Sequence, residues 1–287
     1  MAVILGLAVA VAYGTADFLG GVAAKHTPLA TVVVGSQAIG LPALLLIAPL
    51  LDGSLTGDVV LSAIAAGVAS AFAITALYAG LSRGRMSVVA PITAVGAAAL
   101  PVLWGIASGE RPSGAAMAGV GIALVAVVLV SRQEEEGVVA ATGGGHARVP
   151  ALALAVGAGI GFGVVFVVLG ETSDDGGLWP LAVARATSVT LLTIGALVLR
   201  ERLLPEGGLS APATRTIAAT GVLDLTANAL FVFATQRGLL SLVAVIASLY
   251  PAATVVLARV VLAERFGRVQ AIGLGLAGTG VLLIAVG

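Results

Sequence analysis

Cysteine is absent, histidine occurs only at His26 and His146, and 10% of the 287 residues are charged. Without cysteine there is no disulfide, no thiolate metal site and no cysteine nucleophile. Two histidines 120 positions apart make no imidazole cluster, so neither a resident metal nor a cofactor is expected. A soluble domain covers itself with about 25% charged residues; this chain is expected to meet lipid over most of its surface. Its 14 basic and 14 acidic residues cancel, which leaves no basic face for a nucleic acid. No Lys or Arg precedes Lys25. A secretory signal needs a basic start, so the first apolar stretch is expected to be a retained membrane helix. Aromatics make up only 4% of the chain, so each Tyr or Trp stands out as bulk among small residues.

What is present is a duplication. The stretch from Arg83 to Leu129 returns, shifted by 154 positions and without a gap, from Arg237 to Leu283. Paired Ala and Val positions prove little in so apolar a chain. The pairs Arg83-Gly84 with Arg237-Gly238, Glu110-Arg111 with Glu264-Arg265, and Gly119-x-Gly121 with Gly273-x-Gly275 share one offset and are specific.

A bilayer-crossing helix needs about 20 mostly apolar residues. Cutting at charged and turn-forming breaks predicts ten spans: 2–22, 29–51, 59–81, 87–107, 114–131, 150–170, 178–199, 215–235, 241–263 and 269–286. The longest polar stretch, 132–149, holds Glu134-Glu135-Glu136 and Gly143-Gly144-Gly145 and reads as a flexible solvated linker. It divides the chain into a first five-helix repeat, 1–131, and a second, 150–287. Five is odd, so the second repeat enters the membrane upside down relative to the first. The expected architecture is an all-α membrane protein, two inverted five-helix repeats around a central cavity, as in many secondary transporters.

Ten short helices in a five-plus-five duplication resemble the EamA-domain members of the drug/metabolite transporter superfamily. The resemblance rests on Leu249-Tyr250-Pro251-Ala252-Ala253 leading to Leu262-Ala263-Glu264-Arg265. Its first-half counterpart is Pro101-Val102-Leu103-Trp104 leading to Gly109-Glu110-Arg111-Pro112, and the opening adds Ala12-Tyr13-Gly14 with Asp17-Phe18. It implies a non-enzymatic secondary transporter, an exporter of a small polar or amphipathic metabolite such as an amino acid. It implies a multi-pass protein of the cell (inner or plasma) membrane, monomeric or homodimeric, with its termini in the cytoplasm. The basic residues argue otherwise about the termini. Loops after odd-numbered spans hold Lys25, Arg83, Arg85, Arg132, Arg148, Arg200, Arg202, Arg215, Arg265 and Arg268, against Arg111 and Arg237 after even-numbered ones, which places both termini outside. A flippase for a lipid-linked or amphipathic headgroup is the alternative function; it would carry a lateral opening lined by Arg185.

The candidate cavity residues are Tyr13, Asp17, Gln37, Arg185, Asp224, Asn228 and Tyr250. Asp17, deep in the first span, is a candidate for a proton or a substrate amine, because an ionisable group inside a bilayer costs about 2.5–3.5 kcal/mol on insertion scales; the alternative is a place near a helix end or a hydrogen bond to Tyr13 or Thr15. Asp224 and Asn228 share one helical face at i, i+4, and Asp224 is the second candidate for proton coupling. Its repeat mate is Ser70. Arg185 would hold a substrate carboxylate or pair with Asp17 or Asp224. Tyr78 and Trp104 read as interface belt, and Tyr250 as a cavity wall. Pro91, Pro101 and Pro251 remove helix hydrogen bonds and are candidate hinges, or static bends. Gly157, Gly159, Gly161 and Gly163 read as tight helix packing. So does Gly273-Leu274-Gly275-Leu276-Ala277-Gly278, which fits a dinucleotide fingerprint but lacks the preceding strand that reading needs. Glu110-Arg111 and Glu264-Arg265 read as loop caps.

Overall fold

Helices begin and end where charge, proline and glycine interrupt the apolar runs. The computed structural model describes residues 1–51, 53–83, 86–130, 148–172, 176–201, 203, 208–262 and 267–287. Among these the secondary structure is helical throughout, apart from turns. Helix α1 (Ala2–His26) ends with Lys25 and His26 in its last turn, where cations suit the negative helix end. Helix α2 (Leu29–Ile47) starts after Pro28 and runs into a 3-10 turn, Ala48–Leu50. Then follow α3 (Gly57–Arg83), α4 (Met86–Ala107), α5 (Gly114–Val130), α6 (Arg148–Glu171) and α7 (Trp179–Val198). Pro180 sits in the first turn of α7, where a missing N–H costs nothing. Helix α8 (Ala211–Thr235) is capped by Ser210, whose hydroxyl accepts from the Ala213 N–H at 3.3 Å. The chain closes with α9 (Leu240–Ala247), α10 (Tyr250–Leu262) and α11 (Arg268–Val286).

Seven of these helices are long and apolar enough to cross a bilayer, and three further apolar helical stretches, Ile92–Ala107, Gly114–Val130 and Leu240–Thr254, are shorter. The ninth span, expected as one helix over 241–263, is two. Pro251 has no N–H to offer the Ala247 carbonyl. The helix stops at Ala247, the Ser248 hydroxyl turns back to the Val245 carbonyl at 2.7 Å, and α10 restarts at Tyr250. Helix α4 runs on through Pro91 and Pro101, so Pro251 alone of the three candidate hinges coincides with a break. Most of the expected linker, residues 132–147, lies outside the described residues, as do Glu264 and Arg265.

The two repeats interlock. Helix α1 packs along α8 and α10, α2 along α7 and α8, α3 along α6 and α7, α4 along α6 and α9, and α5 along α11. Helices of the same repeat touch one another far less. Exchanging each helix for its repeat mate turns α1 on α8 into α6 on α3, α1 on α10 into α6 on α4, and α2 on α8 into α7 on α3. The main helix pairs are carried onto one another by the exchange.

Individual contacts obey the same exchange. A Cβ at Gly119 would lie 2.9 Å from the Ile284 side chain; a Cβ at Gly273 would lie 2.9 Å from that of Val130. Gly119 and Gly273 are mates at the 154-residue offset, and so are Val130 and Ile284. Gly280 meets Ala123 between them. Along this seam residue numbers rise on α5 as they fall on α11, so the two mated helices run antiparallel. Gly159 meets Gly96, and Gly163 meets Leu100, so the alternate glycines of α6 serve close packing.

Candidate functional site

Three polar side chains from three helices form a closed triangle in the middle of the bundle. The Arg185 guanidinium (α7) meets Asp224 Oδ2 (α8) at 2.6 Å. Its Nη1 donates to the Gln37 (α2) Oε1 at 2.5 Å, and the Gln37 Nε2 donates to Asp224 Oδ2 at 3.4 Å. Arg185 is 4% exposed and Gln37 2%. The Asn228 side chain, one turn beyond Asp224, donates to the Asp224 backbone carbonyl at 2.8 Å. Burying a guanidinium is tolerable only when its charge and its N–H groups are answered; here a carboxylate does the first and an amide helps with the second.

These groups line a cavity that leaves about 20 Å³ for water, room for about one molecule. Tyr13, Ser70, Phe162 and the aliphatic Ile74 also line it. The Tyr13 ring lies 5.9 Å from that of Phe166, which stacks on Phe231 at 4.4 Å.

The cavity lies where the repeats meet as equivalents. Gly67 and Gly221 are mates at the 154-residue offset; Gly67 abuts the Ala184 carbonyl and Gly221 the Ser36 carbonyl. Ala184 and Ser36 are therefore mates, and so are the residues that follow them, Arg185 and Gln37. Gly163 abuts Leu100 while Gly14 abuts Thr254. These partners are mates at the same offset, which pairs Gly14 with Gly163 and Tyr13 with Phe162. Ser70 and Ile74 correspond to Asp224 and Asn228. The cavity thus draws four equivalent pairs, Tyr13 with Phe162, Gln37 with Arg185, Ser70 with Asp224, and Ile74 with Asn228. Both charges come from the second repeat.

Of the sequence candidates, Tyr13, Gln37, Arg185, Asp224 and Asn228 come together here. Asp17 and Tyr250 do not line this cavity. Asp17 is half-buried on α1 and makes no hydrogen bond or ion pair among the described residues. The local bond offered as the alternative for it does not form: the Thr15 hydroxyl donates to the Val11 carbonyl, at 2.7 Å. Asp17 sits between Gly14, which abuts the Tyr250 carbonyl, and Gly20, which abuts the Tyr78 hydroxyl. Tyr250 is buried, and its hydroxyl donates to the Ala90 carbonyl of α4 at 3.3 Å. Tyr78 is no interface residue, at 1% exposed; the missing side chain of Gly20 makes room for its ring. Trp104 is 47% exposed. Sequence reasoning passed over Phe162, Phe166 and Phe231, which carry no mark beyond being aromatic, and Ser188. The Ser188 hydroxyl lies one turn past Arg185, fully buried and, among the described residues, without a hydrogen-bond partner.

Two apolar grooves flank the bundle. One, of about 610 Å³, runs between α1, α10 and α11, with Thr15, Val256 and Leu257 on its walls. The other, of about 390 Å³, lies between α4 and α6, with Leu103, Trp104 and Val164. Leu103 and Leu257 are mates, so the grooves share one equivalent wall position, although α11 lines the first and its mate α5 does not line the second. Arg185 lines neither.

Glu110 reaches across the repeats. Its carboxylate accepts the Leu240 N–H at 2.7 Å and the Ser241 N–H at 3.2 Å, capping α9. It was expected as a loop cap; what it caps is a helix of the other repeat.

The profile of the EamA-like transporter family matches residues 1–132 and 149–286. No curated protein matches significantly. Among solved structures, one described only as the crystal structure of a protein superposes with a TM-score of 0.74 at 16% identity, covering 99% of this chain and 96% of that one. At that identity the likeness concerns the fold.

Proposed function

Because this chain belongs to the EamA-like transporter family, a family of multi-pass membrane proteins, we propose that it is a secondary transporter. Its cargo is a small polar or amphipathic metabolite, such as an amino acid, exported across the cell membrane by alternating access. The observation that carries this reading is the buried Arg185–Asp224 ion pair, bridged by Gln37 where equivalent elements of the two repeats meet. Buried ionisable groups inside apolar spans are costly and face a bundle interior or a substrate path. Antiparallel packing of the mated helices α5 and α11 supports an inverted relation between the repeats. Two inverted halves exchange conformations when they rock, so a site at their junction meets each side in turn. The small cavity then corresponds to the closed stage of that cycle, and the cargo enters as the halves part.

The sequence carries no phosphate-binding P-loop, so the driving energy is a gradient. If protons supply it, Asp17 and Asp224 are the carriers. Asp224 touches Arg185, whereas Asp17 makes no ion pair among the described residues. Uptake of a labelled amino-acid mixture by proteoliposomes, with and without a pH gradient, tests both parts. Arg185→Gln is expected to abolish uptake. Gradient-driven uptake that survives in both Asp17→Asn and Asp224→Asn would end the proton-carrier assignment.

The flippase alternative asks for Arg185 on a lateral opening. Its place in the enclosed cavity favours a small cargo instead.

A further inference from the structure

Gln37 is the cavity's bridge between repeats. Arg185 and Asp224 stand on α7 and α8 of the second repeat, and their ion pair at 2.6 Å is complete without help. Gln37 comes from α2 of the first repeat. It turns its carbonyl oxygen to the guanidinium and its amide nitrogen to the carboxylate. A guanidinium has five N–H donors and a carboxylate about four acceptor positions, so the pair has capacity beyond its mutual contact. Gln37 fills part of it with an acceptor and a donor on one planar edge. With the carboxamide in place the cavity keeps about 20 Å³ for water, and no cargo larger than a water molecule fits beside it.

We infer that the Gln37 carboxamide is a resident stand-in for the head group of the transported molecule, whose recognised edge carries an acceptor next to an N–H donor, as in a primary carboxamide, a lactam or a nucleobase. The inference rests on reading this cavity as the transport site. The ion pair is neutral as a unit. A ligand with one net charge would leave that charge unanswered in a low-dielectric site, whereas a neutral donor–acceptor edge meets both partners. While empty, the protein answers the pair with its own amide. When α2 moves, cargo takes that place. A site that hydrogen-bonds a donor strongly rejects an analogue without it, because its own polar group is then left unpaired. A tethered competitor also weakens cargo binding, which helps release.

The test is thermal unfolding of the purified full-length protein in lipid nanodiscs, titrated with propionamide and with butanone, which has the same shape but a methyl in place of the NH2. Gln37→Ala is expected to melt below the wild type. Saturating propionamide should raise its midpoint by about 2–4 °C, while butanone should not move it. The wild type should need at least ten-fold more propionamide for the same shift, because its own amide competes. Gln37→Met, which refills the space with an apolar chain, should respond to neither. The inference is overturned if Gln37→Ala ignores propionamide, if butanone matches it, or if the wild type responds as readily as Gln37→Ala. Should Gln37→Ala fail to fold, Gln37→Ser carries the same comparison. Discrimination between the probes without any flux in proteoliposomes would sink the transport reading and leave Gln37 standing in for a ligand that is bound but not carried. Flux without discrimination would do the reverse.

Discussion

The first repeat answers its helix neighbours in the same places as the second, yet the two differ at the centre. Where the first supplies Gln37, Ser70 and Ile74 to the cavity, the second supplies Arg185, Asp224 and Asn228. Where the first runs α4 unbroken, the second stops at Ala247 and restarts at Tyr250. The glycine contacts between helices have kept their equivalence; the polar chemistry has not. Packing two repeats against each other constrains both copies, since every close contact serves a pair of helices. A ligand occupies the shared centre once, so nothing obliges the residues there to match. Asymmetry at the junction is what a single bound molecule would select.

The largest effect is expected from removing one charge of the asymmetric pair. Arg185→Gln alone leaves Asp224 buried and unanswered, and should destabilise the protein by about 3–5 kcal/mol in reversible unfolding. The double variant Arg185→Gln with Asp224→Ser gives the second repeat the neutral residues of the first. It should cost at least about 1 kcal/mol less than the sum of its single changes; additive costs would mean the two groups are not a unit. Next come the mated glycines. Gly119→Ala and Gly273→Ala each place a methyl against backbone, 2.7 Å from the Gly280 oxygen and 2.6 Å from the Val130 nitrogen, and should each cost about 1–3 kcal/mol. The costs should be similar, and a clear inequality would break the equivalence of the seams. Glu110→Gln keeps the shape of the cap on α9 but loses its charge, at about 1 kcal/mol. The smallest effect should come from Gly121→Ala and Gly275→Ala, mates with open space around them. Both should be neutral or stabilising by up to about 1 kcal/mol, which checks that the larger glycine effects come from contact and not from helix propensity.

The comparison also shows what the sequence made legible. The repeat, the span boundaries and the family resemblance followed from apolar run length and from pairs such as Glu110-Arg111 and Glu264-Arg265, because these are properties of the chain in order. Arg185 and Asp224 were found as candidates for the same reason, as charges inside apolar runs. Their pairing with each other, and the exclusion of Asp17, depend on how α7, α8 and α1 pass one another, and no local pattern encodes that. Tyr78 misled because a tyrosine near a span end looks amphipathic; its burial depends on Gly20, far away in sequence. The break at Ser248 was half legible. Pro251 announced a lost hydrogen bond, yet Pro91 and Pro101 announced the same and α4 runs on.

The interlocking of the repeats bears on how the chain is made. When a ribosome has delivered α1, α3 and α4 to the membrane, their main packing partners α8, α6, α7 and α9 have not been translated. The first five helices leave the insertion machinery with their small-residue faces uncovered, held apart only by lipid or by a chaperone. Assembly of the tertiary structure waits for the carboxy-terminal half, and a truncation before α6 is expected to be degraded rather than to persist as a half-built domain.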